Sequence, residues 1–175
     1  MDERDPGLEE AMAGLRRGDF SLLAPLFKAP RGREPRILTW AEQGQLPLDP
    51  VAFNEALSCA CFLGATPVAE RLLELGAGIQ EGNGTGLNGF HWAANRGQLE
   101  TVRMLIQRRA PLETENSYGG TVLGGTVWAA VHEPKPDHLL VIEALLKAGA
   151  DILRAEYPSG RADVDRVLER FGVGK

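Results

Sequence analysis

Residues 88–94, NGFHWAA, decide the fold, because similar segments precede and follow them at one fixed spacing. Thr121, the first residue of TVLG, comes 33 residues after Asn88. Glu55, the first residue of EALS, comes 33 residues before Asn88. A fixed period of this length predicts a chain of repeated structural units, each packed mainly against its two neighbours.

Each unit holds two short apolar segments that are separated by a break, such as the one at Gly64 or Gly97. The apolar residues of the second segment recur three and four positions apart, which is typical of one buried face of a helix. These residues are Leu72, Leu73 and Leu75 in one unit, Val102, Leu105 and Ile106 in the next, and Leu139, Ile142, Leu145 and Leu146 in the third. The pattern therefore predicts helix-turn-helix units.

The 33-residue period and the block around His91 resemble the ankyrin repeat, whose T-P-L-H-x-A core has a histidine and small residues at these positions. The resemblance is to a short array of the bacterial type. It implies an all-α fold, an ankyrin-repeat solenoid of stacked helix-turn-helix units with hairpin-like inter-repeat loops. Two residues depart from the pattern: Gly124 replaces the histidine, and Arg109 replaces a helix-ending glycine. A left-handed backbone at Arg109 would cost about 1–2 kcal/mol.

One domain is expected over residues 1–175, since the length suits a single domain. We divide it into a degenerate N-terminal repeat or cap (1–30), an insertion with a short helix (31–53), repeats at 54–86, 87–119 and 120–156, and a C-terminal capping helix (157–175). The third repeat has a seven-residue insertion, which we place in the segment that contains Pro134 and Pro136.

The bulk composition argues against several classes of function. A net charge of −5 gives no basic field for nucleic acid or anionic lipid. The first residues show no secretory signal, and no apolar run is long enough to cross a bilayer. Cys59 and Cys61 would point to different faces of a helix and cannot easily bridge each other. We expect a cytoplasmic protein without cofactors, and the oligomeric state stays open.

Two motifs with chemical potential fit better as structure. Residues 84–89, GTGLNG, match the dinucleotide pattern G-x-G-x-x-G, but the preceding residues do not form the buried strand that this site needs. Residues 132–138, HEPKPDH, gather histidines and carboxylates, but Pro134 and Pro136 break the helix that an H-E-x-x-H zinc site requires. We expect no metal site here. The ankyrin resemblance implies that His91 bonds to backbone between repeats rather than acting as an acid–base group.

The distribution of charge indicates a binding surface. Charged residues concentrate on the second helices, whereas residues 82–95 and 116–132 contain none apart from histidine. In the ankyrin family, loops and first helices line a concave groove. Apolar aromatic surfaces with few charges are typical of protein contacts. The expected partner-binding residues are Phe62, Thr85, Trp92, Asn95, Arg96, Tyr118, Trp128 and His132, with Thr85 and Tyr118 at loop tips.

The main hypothesis is a non-catalytic adaptor that binds a protein or peptide in this groove. One alternative is a small-molecule or catalytic pocket between Trp92, Trp128 and the long loop, with His132 or His138 as acid–base groups. Another is a structural subunit of a homo-oligomer or hetero-oligomer. The aromatic residues would instead belong to the core if the helix near Trp40 or the long loop folded over them.

Overall fold

The structure, a computed structural model, describes residues 5–79 and 84–174. Within these ranges it contains ten α-helices and no β-strand, so the predicted all-α fold is confirmed. The helices are α1 (Pro6–Arg17), α2 (Phe20–Leu23), α3 (Arg36–Glu42), α4 (Pro50–Leu63), α5 (Thr66–Glu74), α6 (Gly89–Asn95), α7 (Leu99–Gln107), α8 (Val122–His132), α9 (His138–Lys147) and α10 (Ala162–Arg170). Short turns of 3-10 helix lie at Ala24–Phe27, Leu46–Leu48 and Ile152–Arg154.

The helices form two rows, as a solenoid of stacked units requires. In the inner row α4 packs on α6 and α6 on α8, while in the outer row α5 packs on α7 and α7 on α9. Small residues, among them Ala60, Ala93, Ala94 and Ala130, are fully buried in the inner row and let the helix backbones approach closely. Helix α10 closes the end of the stack against α8 and α9.

The first unit has an unexpected arrangement. Helix α1 packs on α4, and α3 packs on α5, so by its contacts α3 takes the place of an outer helix. Helix α2 instead lies against α4 as an additional segment. Helix α4 begins at Pro50, where the Asp49 carboxylate accepts a hydrogen bond from the Ala52 N–H at 3.0 Å. The boundary expected between residues 53 and 54 therefore falls inside a helix, and the division into segments stays a prediction.

The third repeat uses its extra length partly as helix. Helix α8 has 11 residues, whereas α6 has 7, and only residues 133–137 connect α8 to α9. The glycine at the histidine position also has a steric reason. A Cβ atom on Gly124 would stand 2.7 Å from the Arg154 carbonyl oxygen, so the segment after α9 occupies the space of a larger side chain.

The hairpin-like loops of neighbouring repeats are joined at their tips. The Ser117 N–H donates to the Thr85 carbonyl at 2.9 Å, and the Ser117 hydroxyl donates to the Gly84 carbonyl at 3.3 Å. Gly86 has a φ of +69°, and a Cβ there would meet the Ser117 nitrogen at 2.7 Å. Gly86 therefore allows close stacking of the two loops, and Gly89 is the first residue of α6. Residues 80–83, which precede this motif, lie outside the described part.

The outer face is charged and paired. Arg71 on α5 contacts Glu42 on α3 at 2.8 Å, and Arg108 after α7 contacts Glu70 at 2.9 Å and Glu74 at 3.3 Å. These pairs are largely exposed, so each contributes little to stability. They mark the outer face as a solvated surface. No helix in the described ranges is both long and apolar enough to span a bilayer.

Arg109 adopts the left-handed conformation that the sequence predicts, with a φ of 58°. Gly76 and Gly149 occupy the corresponding places after α5 and α9, with φ of 101° and 100°. We expect Arg109→Gly to raise the free energy of unfolding by about 0.5–1 kcal/mol, because relief of strain outweighs the added chain entropy. Chemical denaturation measures this change.

Gly149→Ala is the matched control for Arg109→Gly. No heavy atom lies within 4 Å of a Cβ built on Gly149, so the cost of this substitution is conformational alone. It should lower the free energy of unfolding by about 1–2 kcal/mol. Equal stability of the Arg109→Gly variant and the parent chain would show that Arg109 carries no backbone strain.

Candidate functional site

The eight predicted contact residues lie on the inner helices and the loop tips. Phe62 is near the end of α4, Trp92 lies in the middle of α6, Asn95 is its last residue, and Arg96 follows directly. Trp128 and His132 lie one turn apart on α8, while Thr85 and Tyr118 are exposed in the two hairpin loops. The structure brings most of these residues into two neighbouring groups, an aromatic cluster and an open cleft.

The aromatic cluster consists of Phe20, Phe62 and Trp92. The Phe20 ring lies 5.7 Å from both other rings, and the Phe62 and Trp92 rings are 5.5 Å apart. All three pairs have the edge-to-face geometry that aromatic rings favour. Phe20 is buried, and Phe62 and Trp92 are half-buried. The sequence leaves open whether these aromatic rings are exposed in the groove or packed in the core. The Phe62 and Trp92 rings are packed within the fold.

The residue that covers them, Phe20, was not among the predicted site residues. Phe20 belongs to α2. The helix near Trp40 and the loop after α8, which the sequence suggests could bury these rings, are different segments. The position of Phe20 directly after the Gly18–Asp19 break places it outside the apolar stripe of residues 22–27. An isolated aromatic residue at a helix start gives no periodic signal, so the sequence does not indicate this contact.

Arg96 stands beside the aromatic cluster. Its guanidinium lies 4.6 Å from the Phe62 ring centroid, which is a cation–π arrangement. The Nε atom is buried and has no hydrogen-bond partner among the described residues. The neighbouring Asn95 carboxamide oxygen is likewise buried and without a partner. Two polar groups with unmet hydrogen bonds thus lie side by side at the end of α6.

An open cleft of about 600 Å³, here named the Trp128 cleft, lies between α6, α8 and the second hairpin loop. The Trp128 side chain is 53% exposed and Tyr118 is 81% exposed, so two large rings meet solvent. The His132 ring lies 4.6 Å from the Trp128 ring on the same face of α8. The cleft is lined by Leu87, Asn95, Asn116, Tyr118, Gly119, Gly120, Gly124, Gly125, Trp128, Arg154 and Glu156.

Glycine backbone forms much of the wall of the Trp128 cleft. Gly124 and Gly125 on α8 carry no side chain that would fill it. Arg154 and Glu156 enter from the segment after α9 and were not predicted as site residues. Arg154 forms an ion pair with Glu115, whereas the exposed Glu156 makes no ion pair with a described residue. Both lie at the end of the third repeat and belong to no recognisable motif, so no sequence signal distinguishes them.

His91 has the structural role that the ankyrin resemblance implies. Its Nε2 donates to the Gly120 carbonyl at 3.3 Å, which leaves Nδ1 to accept the Asn88 N–H at 3.4 Å. The ring therefore links the start of α6 to the next hairpin loop. Burial lowers the pKa of His91, and its bonds to the carbonyls of Gly120 and Thr114 only partly offset this effect.

His138 and His132 have different surroundings and do not form a pair. His138 is buried, its Nδ1 accepts the Lys135 N–H at 3.1 Å, and its Nε2 donates to the Asn95 carbonyl at 3.0 Å. Both nitrogens of His138 are therefore engaged in backbone contacts. His132 stacks on Trp128 at the surface. This geometry supports the binding hypothesis more than the alternative in which these histidines act as acid–base groups.

The described residues offer little nucleophilic or metal-binding chemistry. Burial raises the pKa of the Cys61 thiol to about 12 and raises that of Cys59 as well, so both remain protonated. A thiol is a poor nucleophile in that form. Over residues 5–79 and 84–174, no group of three or more His, Cys, Asp or Glu side chains is placed to hold a metal ion.

The two buried histidines predict that acid destabilises the fold. Burial is the first cause of the lowered pKa at both His91 and His138. Between the ordinary histidine pKa of about 6.5 and the lower folded-state value, the unfolded chain binds more protons than the folded chain. Their contribution is therefore complete above about pH 6.5 and is lost as pH falls below that value through the lowered folded-state pKa. Thermal unfolding at pH 7 and pH 5 measures this loss.

His138→Gln is the matched variant for this pH dependence. It should be less stable at pH 7 but should lose less stability on acidification than the parent chain. Arginine partners lower the pKa values of the Asp5 and Asp163 carboxylates. These groups therefore become protonated only below about pH 4 and do not change their charge between pH 7 and pH 5. If both chains lost the same stability between pH 7 and pH 5, His138 would not contribute to the pH dependence.

A family model that describes ankyrin repeats in three copies matches residues 54–155, which is more than half of the chain. The chain belongs to the ankyrin repeat family. The match agrees with the two rows of helices, the buried histidine and the stacked hairpin loops. Ankyrin repeats generally mediate contacts between proteins and are typically non-catalytic.

The chain also resembles a probable E3 ubiquitin-protein ligase, XBOS33, of Oryza sativa subsp. japonica. The two are 32% identical over 112 residues. The match covers 63% of this chain but only 20% of the rice protein. The similarity therefore concerns a limited part of that protein.

Proposed function

We propose that this ankyrin chain is a non-catalytic protein-binding module whose main contact surface is the Trp128 cleft. The observation that carries the proposal is the exposure of two large rings, Trp128 and Tyr118, beside one open cleft. Exposed aromatic side chains in a concave setting are typical anchors of protein interfaces. Burial of their apolar surface by a partner would stabilise the complex.

The shape of this surface supports an extended peptide as the occupant. It runs from Tyr118 at the tip of the hairpin loop, past the glycine wall of α8, to Trp128 and then to His132 one turn further along. Gly119 in the hairpin loop has no heavy atom within 4 Å of a built Cβ, so a peptide backbone can approach this part of the wall closely. A partner segment would lie across the loop tip and α8.

The other predicted contact residues take supporting places in this proposal. Asn95 lines the Trp128 cleft directly. Phe62 and Trp92 belong to the aromatic cluster, in which the Phe62 ring lies under the Arg96 guanidinium. Thr85 fixes the relation of the two loop tips, because its carbonyl accepts the Ser117 N–H. The outer helices α5, α7 and α9 make no contact with the partner segment.

Trp128→Ala is the direct test of this proposal. Because the ring is more than half exposed, we expect the melting temperature to change by only a few degrees, while binding weakens at least tenfold. An anchoring tryptophan often contributes about 2–4 kcal/mol to binding. The parent chain would be used to capture its partner from native cells, and the affinity of the captured protein for each variant would then be measured.

Leu140→Ala is the matched control, because Leu140 is 47% exposed but lies on the outer helix α9. It should retain the parent affinity. If the captured protein bound Trp128→Ala as tightly as the parent chain, the Trp128 cleft would not be the contact surface. A folded but non-binding Leu140→Ala variant would place the contact on the outer face.

A further inference from the structure

Arg96 is a half-buried cation whose hydrogen-bonding capacity is unmet. Its guanidinium lies over the Phe62 ring, and its Nε is buried without an acceptor in the described part of the chain. Cations that are withdrawn from water are normally paired or hydrogen-bonded, because the loss of hydration is costly. The arrangement leaves a place for an acceptor that comes from another molecule.

The two terminal nitrogens of Arg96 can serve such an acceptor. They make no hydrogen bond to a described residue, and they are not among the buried atoms that lack a partner, so they reach the surface. A guanidinium presents its N–H groups in a planar fork that matches the two oxygens of a carboxylate. The Phe62 ring beneath it limits how far the fork can move.

Lys135 adds a second positive charge in the same region, since both Lys135 and Arg96 act electrostatically on His138. Its Cβ would be 2.9 Å from a Cβ on Gly97, the residue that follows Arg96. Lys135 makes no ion pair with a described residue. Glu133 and Asp137, the acidic residues of the same connection, are exposed and are not paired with Lys135 or Arg96.

The surroundings of His138 support a local excess of positive charge. Burial is the main reason that its pKa is lowered, and the charges of Lys135, Arg161 and Arg96 lower it further. Among the described residues, the side-chain charges that act on His138 are all positive. Arg161 is held by Asp163 at 2.7 Å, so Arg96 and Lys135 are the cations left for a partner.

We propose that Arg96, assisted by Lys135, binds the carboxylate of an aspartate or glutamate side chain in an extended segment of the partner protein. This inference rests on the proposed function, because the same segment would place an apolar side chain against Trp128. Asn95, which lines the Trp128 cleft, precedes Arg96, so the two binding positions are carried by consecutive residues at the end of α6. The partner segment therefore carries an acidic residue near an aromatic or aliphatic residue.

The test uses a displayed library of random linear peptides, each followed by a fixed neutral C-terminal linker. Peptides are selected for binding to the full chain. The enriched peptides should share an acidic residue near an apolar one. Replacement of that acid by its amide should weaken binding about tenfold, and Arg96→Gln should weaken the acidic peptide by a similar factor. In a double-mutant cycle, Arg96→Gln should discriminate between acid and amide peptides much less than the parent chain does, with the remaining preference due to Lys135. Binding should also weaken as sodium chloride rises from about 0.05 M to about 0.5 M.

Arg103→Gln is the matched control, because Arg103 lies on α7 and is paired with Glu100 at 2.8 Å. It should leave the peptide affinity unchanged. The melting temperature of each variant shows whether it remains folded. Lys135→Gln, which leaves the Phe62 contact intact, should weaken the acidic peptide by a smaller factor and provides a second variant if Arg96→Gln unfolds.

The outcomes separate this inference from the proposed function. Peptides that depend on Trp128 but bind equally as acid and amide would overturn the role of Arg96 and leave the Trp128 cleft as the contact surface. Enrichment of basic or phosphate-dependent peptides would overturn it as well. If no peptide bound the folded chain, or if Trp128→Ala had no effect, the proposed function and this inference would both fail.

Discussion

Replacement of Trp92 by alanine is expected to lower the free energy of unfolding by about 3 kcal/mol, because the ring supports two elements of the fold. It packs edge-to-face on Phe20 from α2 and on Phe62 from α4, at 5.7 and 5.5 Å between ring centroids. Each such pair contributes about 0.5–1.5 kcal/mol beyond the area that it buries. In a chain of this size, the melting temperature should fall by about 6–12 °C.

Trp128→Ala is the natural comparison for Trp92→Ala, since both remove one indole ring from an inner helix. The Trp128 ring is 53% exposed and lies against the exposed His132 ring, so the loss of stability should stay below about 1 kcal/mol. Chemical denaturation of both variants measures the difference. Two variants of equal stability would mean that α2 does not hold the Trp92 ring.

Replacement of His91 by alanine should have an effect of similar size, about 3 kcal/mol. The side chain is completely buried, and its loss leaves the Asn88 N–H and the Gly120 carbonyl without their ring partner. A buried polar group that loses its partner costs about 1–3 kcal/mol, and the cavity adds to this cost. Because His91 links α6 to the hairpin loop beside the Trp128 cleft, peptide binding should weaken as well.

The matched control for His91→Ala is His132→Ala, which removes the same ring from an exposed position of α8. It should change the free energy of unfolding by less than about 0.5 kcal/mol. Thermal and chemical unfolding of both variants test the pair. A stable His91→Ala variant with an unchanged hairpin loop would contradict the structural role of the buried ring.

The repeats were predictable because their signals are local. The spacing of 33 residues, the small residues Ala93 and Ala94, and the glycines after the outer helices each report a constraint inside one unit. The strained backbone at Arg109 could be predicted for the same reason, because its position relative to α7 is set by the repeat. Such constraints do not depend on how distant segments meet.

The arrangement of the groove was less predictable, because it depends on distant contacts. Phe20 contacts Phe62 and Trp92, which are more than forty residues away in the sequence, and no periodic pattern predicts that contact. The third repeat was expected to place its extra residues in a loop, but α8 absorbs part of them. As a result Trp92 is packed within the fold while Trp128 faces an open cleft, a difference that the similar sequence positions of the two residues do not show.

The central claim is that the Trp128 cleft is the surface on which a partner binds. Amide hydrogen exchange of the full chain, measured with and without a peptide selected on it, tests this claim most directly. We predict that protection on binding is concentrated in residues 116–120 and along α8, with little change in α5, α7 and α9. Protection confined to those outer helices, with residues 116–132 unchanged, would contradict the claim.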